Sequence, residues 1–389
     1  MDPSNFPSPC YVIDLSALRR NLEILQQVRR ENDCRIVLAL KGFSMWSLFP
    51  LMREYLGGCC ASGLWEARLA HEHFGGELLT YAPAYKEDEL GPLIEMSSHL
   101  DFNSRGQWEK YRKLVMEHPR FRSGKLRCGI RVNPECSTGS TPLYDPCAPC
   151  SRLGATVTSL EGADLEGISG VHFHTLCEQG AEDLEVTLKA VDERFGWLLS
   201  RPEITWMNLG GGHWITKPDY DLGLLGRLVR RVRQRYGVEV WLEPGEAAVI
   251  HTGVLLATVM DVVDNGMNIA ILDVSATAHM PDVLEMPYRP DVIDPRTGEK
   301  GGAAGEKAHT YRLGGPTCLA GDVVGDYSFS RPLRAGDFLV FDDMAHYTMV
   351  KTTMFNGVRH PAIATFDPDT GESRVVREFS FEDYRDRLS

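Results

Sequence analysis

Short apolar segments alternate with longer helical segments over the first two-thirds of the chain. Eight of the short segments are rich in apolar and β-branched residues, which predicts buried strands. They cover residues 35–41, 58–62, 77–83, 99–103, 126–133, 168–176, 205–212 and 238–245. Helical stretches separate most of them, as at 65–73 and 182–191, and a helix at 14–30 precedes the first strand. Eight strand–helix units in series predict an α/β fold, a (β/α)₈ barrel over residues 14–250.

The pattern changes after about residue 250. Helical periodicity fades, strand-like runs dominate, and turns rich in Gly and Pro separate them, as at 297–302 and 368–371. The predicted strands cover residues 254–263, 268–274, 337–341 and 347–351. We therefore predict a second, mostly β domain over residues 251–389. Residues 1–13 are expected to join it, because the segment beginning at Pro9 also has the pattern of a strand.

Composition excludes several classes of partner. The chain has 389 residues, 43% of them hydrophobic, which suffices for a sizeable core in two domains. Its net charge of −13 argues against nucleic acid and against anionic membranes, because both select basic surfaces. No segment resembles a signal peptide or an apolar membrane span. We expect a cytoplasmic protein without nucleic-acid or membrane partners.

The ten cysteines are scattered along the chain. Without a secretory signal, free thiols are favoured over a disulfide framework. Cys147 and Cys150 form the only CxxC pair, close to residues 133–145, whose Pro, Ser, Thr and Gly content predicts an irregular loop. A single pair does not supply the four ligands of structural zinc. We predict no metal site and assign no role to this pair.

Polar residues stand at the carboxyl ends of six predicted barrel strands. In chain order these ends are Lys41, Cys60–Ser62, Arg131–Asn133, His172–His174, Gly210–His213 and Glu243–Glu246. Catalytic residues of (β/α)₈ barrels come from the carboxyl ends of the strands and the loops that follow them. We therefore expect these residues to converge on one active-site mouth.

Each feature also has a plainer interpretation. Lys41 is compatible with a strand-end lysine that extends its amine into solvent. Gly210–Gly212 is compatible with a simple tight turn, and a buried histidine is more often a core residue than a ligand. His172 and His174 lie two apart on a strand and share one face, so a metal site is a further alternative. Metal-dependent hydrolases on this barrel tend to carry paired histidines on the first strand, whereas here they lie on the sixth.

The three strongest features together match the needs of pyridoxal 5'-phosphate. This cofactor needs a lysine for its aldehyde, a partner for its pyridine nitrogen and amides for its phosphate. Lys41 is the candidate lysine and Glu243 the candidate partner. Gly210–Gly212 follows the seventh strand, where barrels of this kind bind phosphate. We predict a pyridoxal-phosphate enzyme.

Five motifs, in order along nearly the whole chain, resemble those of the fold-type III pyridoxal-phosphate decarboxylases, the group of ornithine and diaminopimelate decarboxylases. They are Ala39–Lys41, Gly210–Gly212, Glu243–Gly245, Gly314–Cys318, and Asp343–Tyr347 followed by Phe355–Gly357. The resemblance implies a barrel, an added β domain and a homodimer with shared active sites.

Within that group the details are most similar to the carboxynorspermidine (carboxyspermidine) decarboxylases. The segments concerned are Lys41 near the N-terminus, His172–Glu178, Glu243–Glu246 and His279–Tyr288. Ornithine decarboxylases have an arginine that pairs with the phosphate where this chain has Glu246. A glutamate repels phosphate and suits a cationic amine. The resemblance therefore implies a small cationic carboxy-polyamine as substrate.

The resemblance also implies a role for each residue of the predicted site. Lys41 is the covalent attachment point, Glu243 holds a proton on the pyridine nitrogen, and His174 stacks on the ring. The other cofactor contacts are Ser62, Arg131, Gly210, Gly211, Gly212, Gly245 and Tyr347. Cys318 of the second subunit is expected to protonate the carbanion after decarboxylation. The expected substrate contacts are Glu246, Asp282 and Asp322.

Three rival functions remain at this stage. A diaminopimelate or other basic amino-acid decarboxylase is the nearest, although diaminopimelate ends in a carboxylate that favours arginine over Glu246. A non-catalytic pyridoxal-phosphate carrier is typically barrel-only, unlike this chain. A metal-dependent hydrolase is the third. The sequence does not distinguish carboxyspermidine from carboxynorspermidine, because one methylene changes binding by only about 1–3 kcal/mol.

Overall fold

The structure is a computed structural model that describes residues 1–139 and 141–389. Ser140, within the predicted irregular loop, lies outside the described residues. The strands are β1 Cys10–Asp14, β2 Arg35–Ile36, β3 Leu38–Ala39, β4 Gly58–Ala61, β5 Glu77–Tyr81, β6 His99–Phe102, β7 Arg127–Arg131, β8 Ile168–His172, β9 Trp206–Asn208, β10 Glu239–Leu242, β11 Gly253–Asp264, β12 Asn268–Leu272, β13 Val292–Asp294, β14 Glu299–Lys300, β15 His309–Gly314, β16 Val323–Phe329, β17 Phe338–Phe341, β18 Ala362–Asp367 and β19 Glu372–Arg377.

The α-helices are α1 Leu15–Asn32, α2 Phe49–Met52, α3 Leu64–His73, α4 Glu87–Met96, α5 Arg105–Glu117, α6 Pro119–Arg122, α7 Val157–Leu160, α8 Ala181–Leu199, α9 Leu222–Tyr236, α10 Glu246–Val249, α11 Ala276–His279, α12 Asp282–Glu285 and α13 Phe381–Arg385. The chain divides into two compact units. We call residues 21–248 the barrel unit and residues 1–20 with 249–389 the β unit. None of the helices in the described ranges has the length and apolar character that crossing a membrane requires.

The barrel unit is built from parallel strands in the order β2-β10-β9-β8-β7-β6-β5-β4-β3. Only Val37 separates β2 from β3, and its N–H donates to the Leu242 carbonyl at 3.1 Å. β2 pairs with β10 and β3 pairs with β4, so this one stretch of chain closes the sheet on itself. The prediction of a (β/α)₈ barrel is confirmed, and each of the eight predicted barrel strands is present.

Helices of the barrel unit follow from their apolar spacing. In α8 the buried residues Leu184, Leu188, Val191 and Phe195 recur every three or four positions, so they form one face of the helix. Asp221 caps the N-terminus of α9, since its carboxylate accepts the Leu224 N–H at 2.7 Å. The helices predicted at 14–30, 65–73 and 182–191 correspond to α1, α3 and α8.

The barrel interior is packed with side chains. Trp206 and Trp241 fill the part of the interior toward the amino-terminal ends of the strands. The ring of His99 lies 4.8 Å from the ring of each tryptophan. Gly170 makes room for one of them, since a methyl group there would lie 1.9 Å from the Trp206 ring. Because the amino-terminal part of the barrel is filled, its polar side chains gather toward the carboxyl ends of the strands.

The β unit contains a sheet in the order β14-β13-β17-β11-β1-β18-β19, and β12, β15 and β16 extend it from β11. β1 pairs antiparallel with β11 and parallel with β18, which confirms that the N-terminal segment adds a strand. The predicted strands at 254–263, 268–274 and 337–341 correspond to β11, β12 and β17. The turn predicted at 368–371 joins β18 to β19.

The predicted strand at 347–351 is wrong. Tyr347 has a left-handed backbone conformation with φ of 48°, which no strand accommodates. The Thr348 hydroxyl donates to the Met344 carbonyl at 2.6 Å, and the Lys351 N–H donates to the Thr348 carbonyl at 2.8 Å. These local hydrogen bonds form turns in place of a strand ladder.

Candidate active site

Lys41 and His174 are in direct contact at the carboxyl end of the barrel. Lys41 is the second residue after β3, and His174 is the second residue after β8. The Lys41 amine nitrogen lies 3.1 Å from His174 Nε2. The structure thus brings together two residues that lie 133 positions apart in the sequence and that the sequence predicted at one mouth.

The hydrogen bonds around His174 determine the protonation state of Lys41. The Gly211 N–H donates to His174 Nδ1 at 3.1 Å, so Nδ1 carries no proton. The neutral ring therefore carries its proton on Nε2, facing Lys41. A charged ammonium has only donors and would oppose this Nε2–H, whereas a neutral amine accepts from it. This hydrogen-bond pattern favours a neutral Lys41 amine.

Electrostatics favour the same state. Part of the Lys41 side chain is accessible to solvent, but protein surrounds the amine, and this desolvation lowers the pKa of Lys41. The positive charge of Arg131 also lowers the pKa of Lys41, whereas Cys60 and Glu243 raise it, and burial is the largest effect. Burial also holds the pKa of His174 well below its usual value, and the positive charge of Arg131 acts in the same direction. A lysine with a lowered pKa is suited to covalent chemistry with an aldehyde.

Glu243 follows β10 directly and is held by Asn208. The Asn208 side-chain amide donates to Glu243 Oε1 at 2.6 Å. The Asn208 side-chain oxygen accepts the Gly210 N–H at 2.9 Å. Glu243 Oε2 lies 3.8 Å from His172 Nε2. Asn208 therefore connects the carboxylate to the glycine loop, a role that the sequence analysis did not predict.

His172 points to a carboxylate on either side. Its Nδ1 lies 3.0 Å from Asp101 Oδ2, and the side chains of His172 and Asp101 are both 2% exposed. Burial raises the pKa of Asp101 to about 8 and lowers the pKa of His172 to about 3. Asp101 was missed from the sequence, although an acid at an inward position of the predicted strand 99–103 was a usable signal.

Gly210–Gly212 packs against the neighbouring strand ends. A methyl group at Gly211 would lie 2.1 Å from the Glu243 carbonyl oxygen, and one at Gly212 would lie 1.9 Å from the Leu176 carbonyl oxygen. Both distances are far inside contact distance, so only glycine fits. The amides of Gly210 and Gly211 bond to Asn208 and His174, whereas the Gly212 amide donates to no protein group among the described residues. Gly212 is therefore the glycine of this loop with an amide available for an anion.

Arg131 and Ser62 also lie at strand ends, with protein partners. Arg131 donates from Nη2 to the His174 carbonyl at 3.2 Å, and its guanidinium lies 4.4 Å from the centre of the Tyr81 ring. The Ser62 N–H donates to Glu66 Oε2 at 2.6 Å. Arg131 thus places a buried positive charge in the site and supports the backbone that carries His174.

Glu246 begins α10, and its Oε1 accepts the Trp214 indole N–H at 2.7 Å. Gly245 lies close to β3, since a methyl group there would lie 3.2 Å from the Ala39 carbonyl oxygen. The ammonium of Lys217 lies 2.9 Å from the centre of the Trp214 ring. Glu246 is therefore a carboxylate oriented by an aromatic residue, on the loop that follows Glu243.

The β unit holds the remaining predicted residues. Cys318 is exposed, and its N–H donates to the Asn356 side-chain oxygen at 2.8 Å. Tyr347 is half-buried in the left-handed conformation described above. Asp282 forms an ion pair with Lys351, which also pairs with Glu285. A contact of these residues with cofactor or substrate stays a prediction.

Asp322 is buried and bonded on both carboxylate oxygens. Its Oδ1 accepts the Ala276 N–H at 2.7 Å, and its Oδ2 accepts the Thr317 hydroxyl at 2.7 Å. The Ser275 hydroxyl lies within 3.0 Å of both oxygens. These bonds connect the Cys318 loop to the start of α11. The hydrogen-bond partners of Asp322 in the structure are all protein donors. Contact between Asp322 and substrate stays a prediction.

Within the described residues, no group of three or more His, Cys, Asp or Glu side chains is arranged to hold a metal ion. His172 and His174 have separate partners, His172 near two carboxylates and His174 between Lys41 and Gly211. All ten cysteines, including Cys147 and Cys150, are free thiols.

Lys41 with its amine enclosed by protein, Glu243 oriented by Asn208 and the loop Gly210–Gly212 lie at one end of the barrel, which is the set of groups that pyridoxal phosphate needs. The chain matches the family model described as "Pyridoxal-dependent decarboxylase, C-terminal sheet domain" over residues 10–345. The chain therefore belongs to the pyridoxal-dependent decarboxylases. The predictions of the cofactor and of a carboxy-lyase are confirmed. Two of the alternative functions, a metal-dependent hydrolase and a non-catalytic pyridoxal-phosphate carrier, are inconsistent with membership of this family.

Individual relatives extend the likeness over the full length. The chain is 46% identical to the carboxyaminopropylagmatine decarboxylase of Synechocystis sp., covering 99% of this chain and 96% of that one. It is 43% identical to the carboxynorspermidine/carboxyspermidine decarboxylase of Campylobacter jejuni, covering 97% of each. The crystal structure of carboxynorspermidine decarboxylase complexed with norspermidine, also from Campylobacter jejuni, superposes with a TM-score of 0.87 at 42% identity, covering 98% of this chain and 99% of that one.

Proposed function

We propose that this protein decarboxylates carboxynorspermidine or carboxyspermidine to norspermidine or spermidine in polyamine biosynthesis. The observation that carries the proposal is the 43% identity, over 97% of both chains, to a decarboxylase named for these two substrates. A solved structure of similar fold contains norspermidine, which is a product of the proposed reaction. Glu246 supports the proposal, because it is a carboxylate three residues after Glu243, the predicted pyridine partner, and would suit a cationic substrate.

Carboxyaminopropylagmatine is a second candidate substrate. The relative from Synechocystis sp. that is named for it is 46% identical to this chain. Both candidates join a reacting amino-acid end to a distant cation, which is an amine in one and a guanidinium in the other. A guanidinium is planar and binds carboxylates through two parallel hydrogen bonds, so the two cations demand different carboxylate geometry.

When bound, pyridoxal phosphate supplies a ring that accepts the electron pair released as carbon dioxide leaves. Lys41 in its neutral form would attach the cofactor covalently and give way to the amino group of the substrate. Glu243, oriented by Asn208, would hold a proton on the pyridine nitrogen. His174, held by Gly211, would stack on the ring. The amides of Gly212 and Gly245, with Tyr347, would anchor the phosphate.

Protonation of the substrate carbon is assigned to a second subunit. We propose a homodimer in which the partner's Cys318 delivers this proton. Asp322 and Asn356 would hold the Cys318 loop through the bonds described above. Asp322 thereby supports the site without a necessary contact with substrate. A cytoplasmic location accompanies the proposal, supported by ten free thiols, which are typical of a reducing compartment.

The proposal is tested by substrate competition. Purified protein loaded with pyridoxal phosphate is offered carboxynorspermidine, carboxyspermidine, carboxyaminopropylagmatine, ornithine and diaminopimelate, and the amine products are identified by mass spectrometry. We expect kcat/KM to be highest for the first two substrates. A preference for carboxyaminopropylagmatine would select the second candidate. A preference for ornithine or diaminopimelate would contradict both.

A further inference from the structure

Three ionisable side chains form a buried row that leads to Glu243. Asp101 on β6 lies behind His172 on β8, and His172 lies behind Glu243 at the end of β10. The separations are 3.0 Å from Asp101 Oδ2 to His172 Nδ1 and 3.8 Å from His172 Nε2 to Glu243 Oε2. We call this set the Asp101–His172–Glu243 row. No role in the family chemistry described above depends on its first two members.

The row is enclosed by protein. Asp101 and His172 are each 2% exposed, and Glu243 is 11% exposed. Among the described residues, neither ring nitrogen of His172 has a hydrogen bond of good geometry, so the two carboxylates are its nearest polar neighbours. Gly129 makes room for the acid, since a methyl group there would lie 2.1 Å from Asp101 Oδ1. A buried acid and imidazole without other partners are costly unless each satisfies the other.

Other charged and titratable groups face the row from the adjoining strands. They are Arg131 and Cys128 on β7, Tyr81 and Tyr85 from β5 and its loop, Cys60 on β4, Lys41 after β3 and His174 after β8. The Arg131 charge favours ionised Asp101, but burial dominates and raises the pKa of Asp101. Burial lowers the pKa of His172 to about 3, the Glu243 carboxylate opposes this shift, and the positive charge of Arg131 adds to it. At neutral pH, protonated Asp101 therefore faces a neutral imidazole.

The state of Asp101 decides which ring nitrogen of His172 carries the proton. A protonated Asp101 donates to Nδ1, so the ring proton stays on Nε2 and faces Glu243. An ionised Asp101 instead accepts from Nδ1–H, and then the Nε2 lone pair faces the Glu243 carboxylate. The first arrangement stabilises a negative Glu243, whereas the second repels it.

We propose that Asp101 is a positioning residue that, through the tautomer of His172, keeps Glu243 as a carboxylate directed for the pyridine nitrogen. The part concerning the cofactor rests on the proposed role of Glu243. The part concerning His172 belongs to the polypeptide alone and does not depend on that role.

Nuclear magnetic resonance of the cofactor-free protein tests the polypeptide part. With ¹⁵N-labelled histidine, ring nitrogen shifts report which nitrogen of His172 is protonated, and His172→Gln identifies the signals. We expect the Nε2–H tautomer near pH 7 and its loss as the pH rises through the titration of Asp101. Asp101→Asn mimics the protonated acid, so it keeps the Nε2–H tautomer over the pH range in which Asp101 titrates in the wild type. An Nδ1–H tautomer at pH 7 overturns the proposal, and so does a tautomer in Asp101→Asn that still changes over the pH range in which Asp101 titrates in the wild type.

Labelled cofactor tests the second part. With ¹⁵N-pyridoxal phosphate bound, the pyridine nitrogen shift reports its protonation as the pH is varied. Asp101→Ala should lower the pKa of that nitrogen by about one unit, a tenfold loss of proton affinity, while Asp101→Asn should restore it. Equal values in wild type, Asp101→Ala and Asp101→Asn overturn the inference even if Glu243→Gln lowers the pKa. An unchanged pKa in Glu243→Gln contradicts the proposed function instead.

Discussion

Lys41 is prepared for covalent chemistry by its neighbours. Its contact with the Nε2–H of His174 favours a neutral amine, and that tautomer follows from the Gly211 N–H on the opposite side of the ring. A change that removes the hydrogen bond from the Gly211 N–H to His174 Nδ1 would therefore alter the protonation of Lys41 on the opposite side of the ring. In the Asp101–His172–Glu243 row, the protonation of Asp101 is likewise proposed to decide which ring nitrogen of His172 carries the proton.

Replacing Lys41 tests the attachment point. We expect Lys41→Ala to bind pyridoxal phosphate without a covalent link, because the chain then lacks the amine held by His174. Borohydride treatment followed by mass spectrometry of the intact protein should show the cofactor fixed in wild type and absent in the variant. A fixed cofactor in Lys41→Ala would place the attachment at another lysine, and Lys217→Ala provides a matched control that retains the wild-type result.

Replacing Glu246 or Asp282 tests recognition of the substrate cation. A hydrogen bond to a charged group contributes about 1.5–3 kcal/mol, so Glu246→Gln or Asp282→Asn should lower kcat/KM for carboxyspermidine by about ten- to a hundredfold. Cofactor affinity should persist. Glu372→Gln on exposed β19 is a surface control that removes one negative charge. Wild-type preference over diaminopimelate in both site variants would exclude these carboxylates from substrate recognition.

At the scale of elements, the glycine loop after β9 shows why this connection carries no side chains. Gly210 and Gly212 adopt left-handed conformations with φ of 72° and 85°, and the loop passes within contact distance of the segments after β8 and β10. Close backbone approach serves two purposes here. It orients Asn208 and His174 through the amides of Gly210 and Gly211, and it leaves the Gly212 amide available for an anion.

The loop is tested by Gly212→Ala with Gly237→Ala as the matched control. Both positions have positive φ, but an added methyl group meets the Leu176 carbonyl at Gly212 and nothing within 4 Å at Gly237. We expect Gly237→Ala to lower the free energy of unfolding by about 1–2 kcal/mol, the cost of the left-handed conformation alone. Gly212→Ala should lose more and should also weaken pyridoxal-phosphate binding. Equal stability and cofactor affinity in the two variants would contradict this account.

At the scale of the whole molecule, the chain supplies a barrel unit with the lysine and a β unit with the cysteine. Lys41 belongs to residues 21–248 and Cys318 to residues 249–389. The proposed homodimer assigns the two residues of one active site to different subunits. This arrangement predicts how much activity mixed dimers of two inactive variants should have.

Mixing inactive Lys41→Ala and inactive Cys318→Ala proteins should restore activity. In a mixed dimer one site has both substitutions and the other has neither, so random exchange at equal amounts gives about a quarter of wild-type activity. Exchange is verified by two affinity tags of different mass. No recovery after verified exchange would show that Cys318 and Lys41 act within one subunit.

Much of the fold follows from patterns that are local in the sequence. The eight barrel strands, the helices α1, α3 and α8, and the N-terminal strand of the β unit were all predictable, because apolar periodicity reflects which face of an element is buried. The prediction of a strand at 347–351 was wrong. The apolar character of this segment did not reveal the left-handed backbone of Tyr347 or the hydrogen bond from the Thr348 hydroxyl to the Met344 carbonyl.

The sequence by itself determined the barrel, the cofactor and the strand ends that carry Lys41, His174 and Glu243. Only the tertiary structure decided how those groups share protons. Asp101 and His172 lie 71 positions apart by residue number and become neighbours only when the barrel curves β6 toward β8. The tautomer of His174 likewise depends on Gly211, which arrives from another strand. Residue types are visible in a sequence, but a proton's position depends on which atoms lie within about 3 Å, and long-range packing sets that distance.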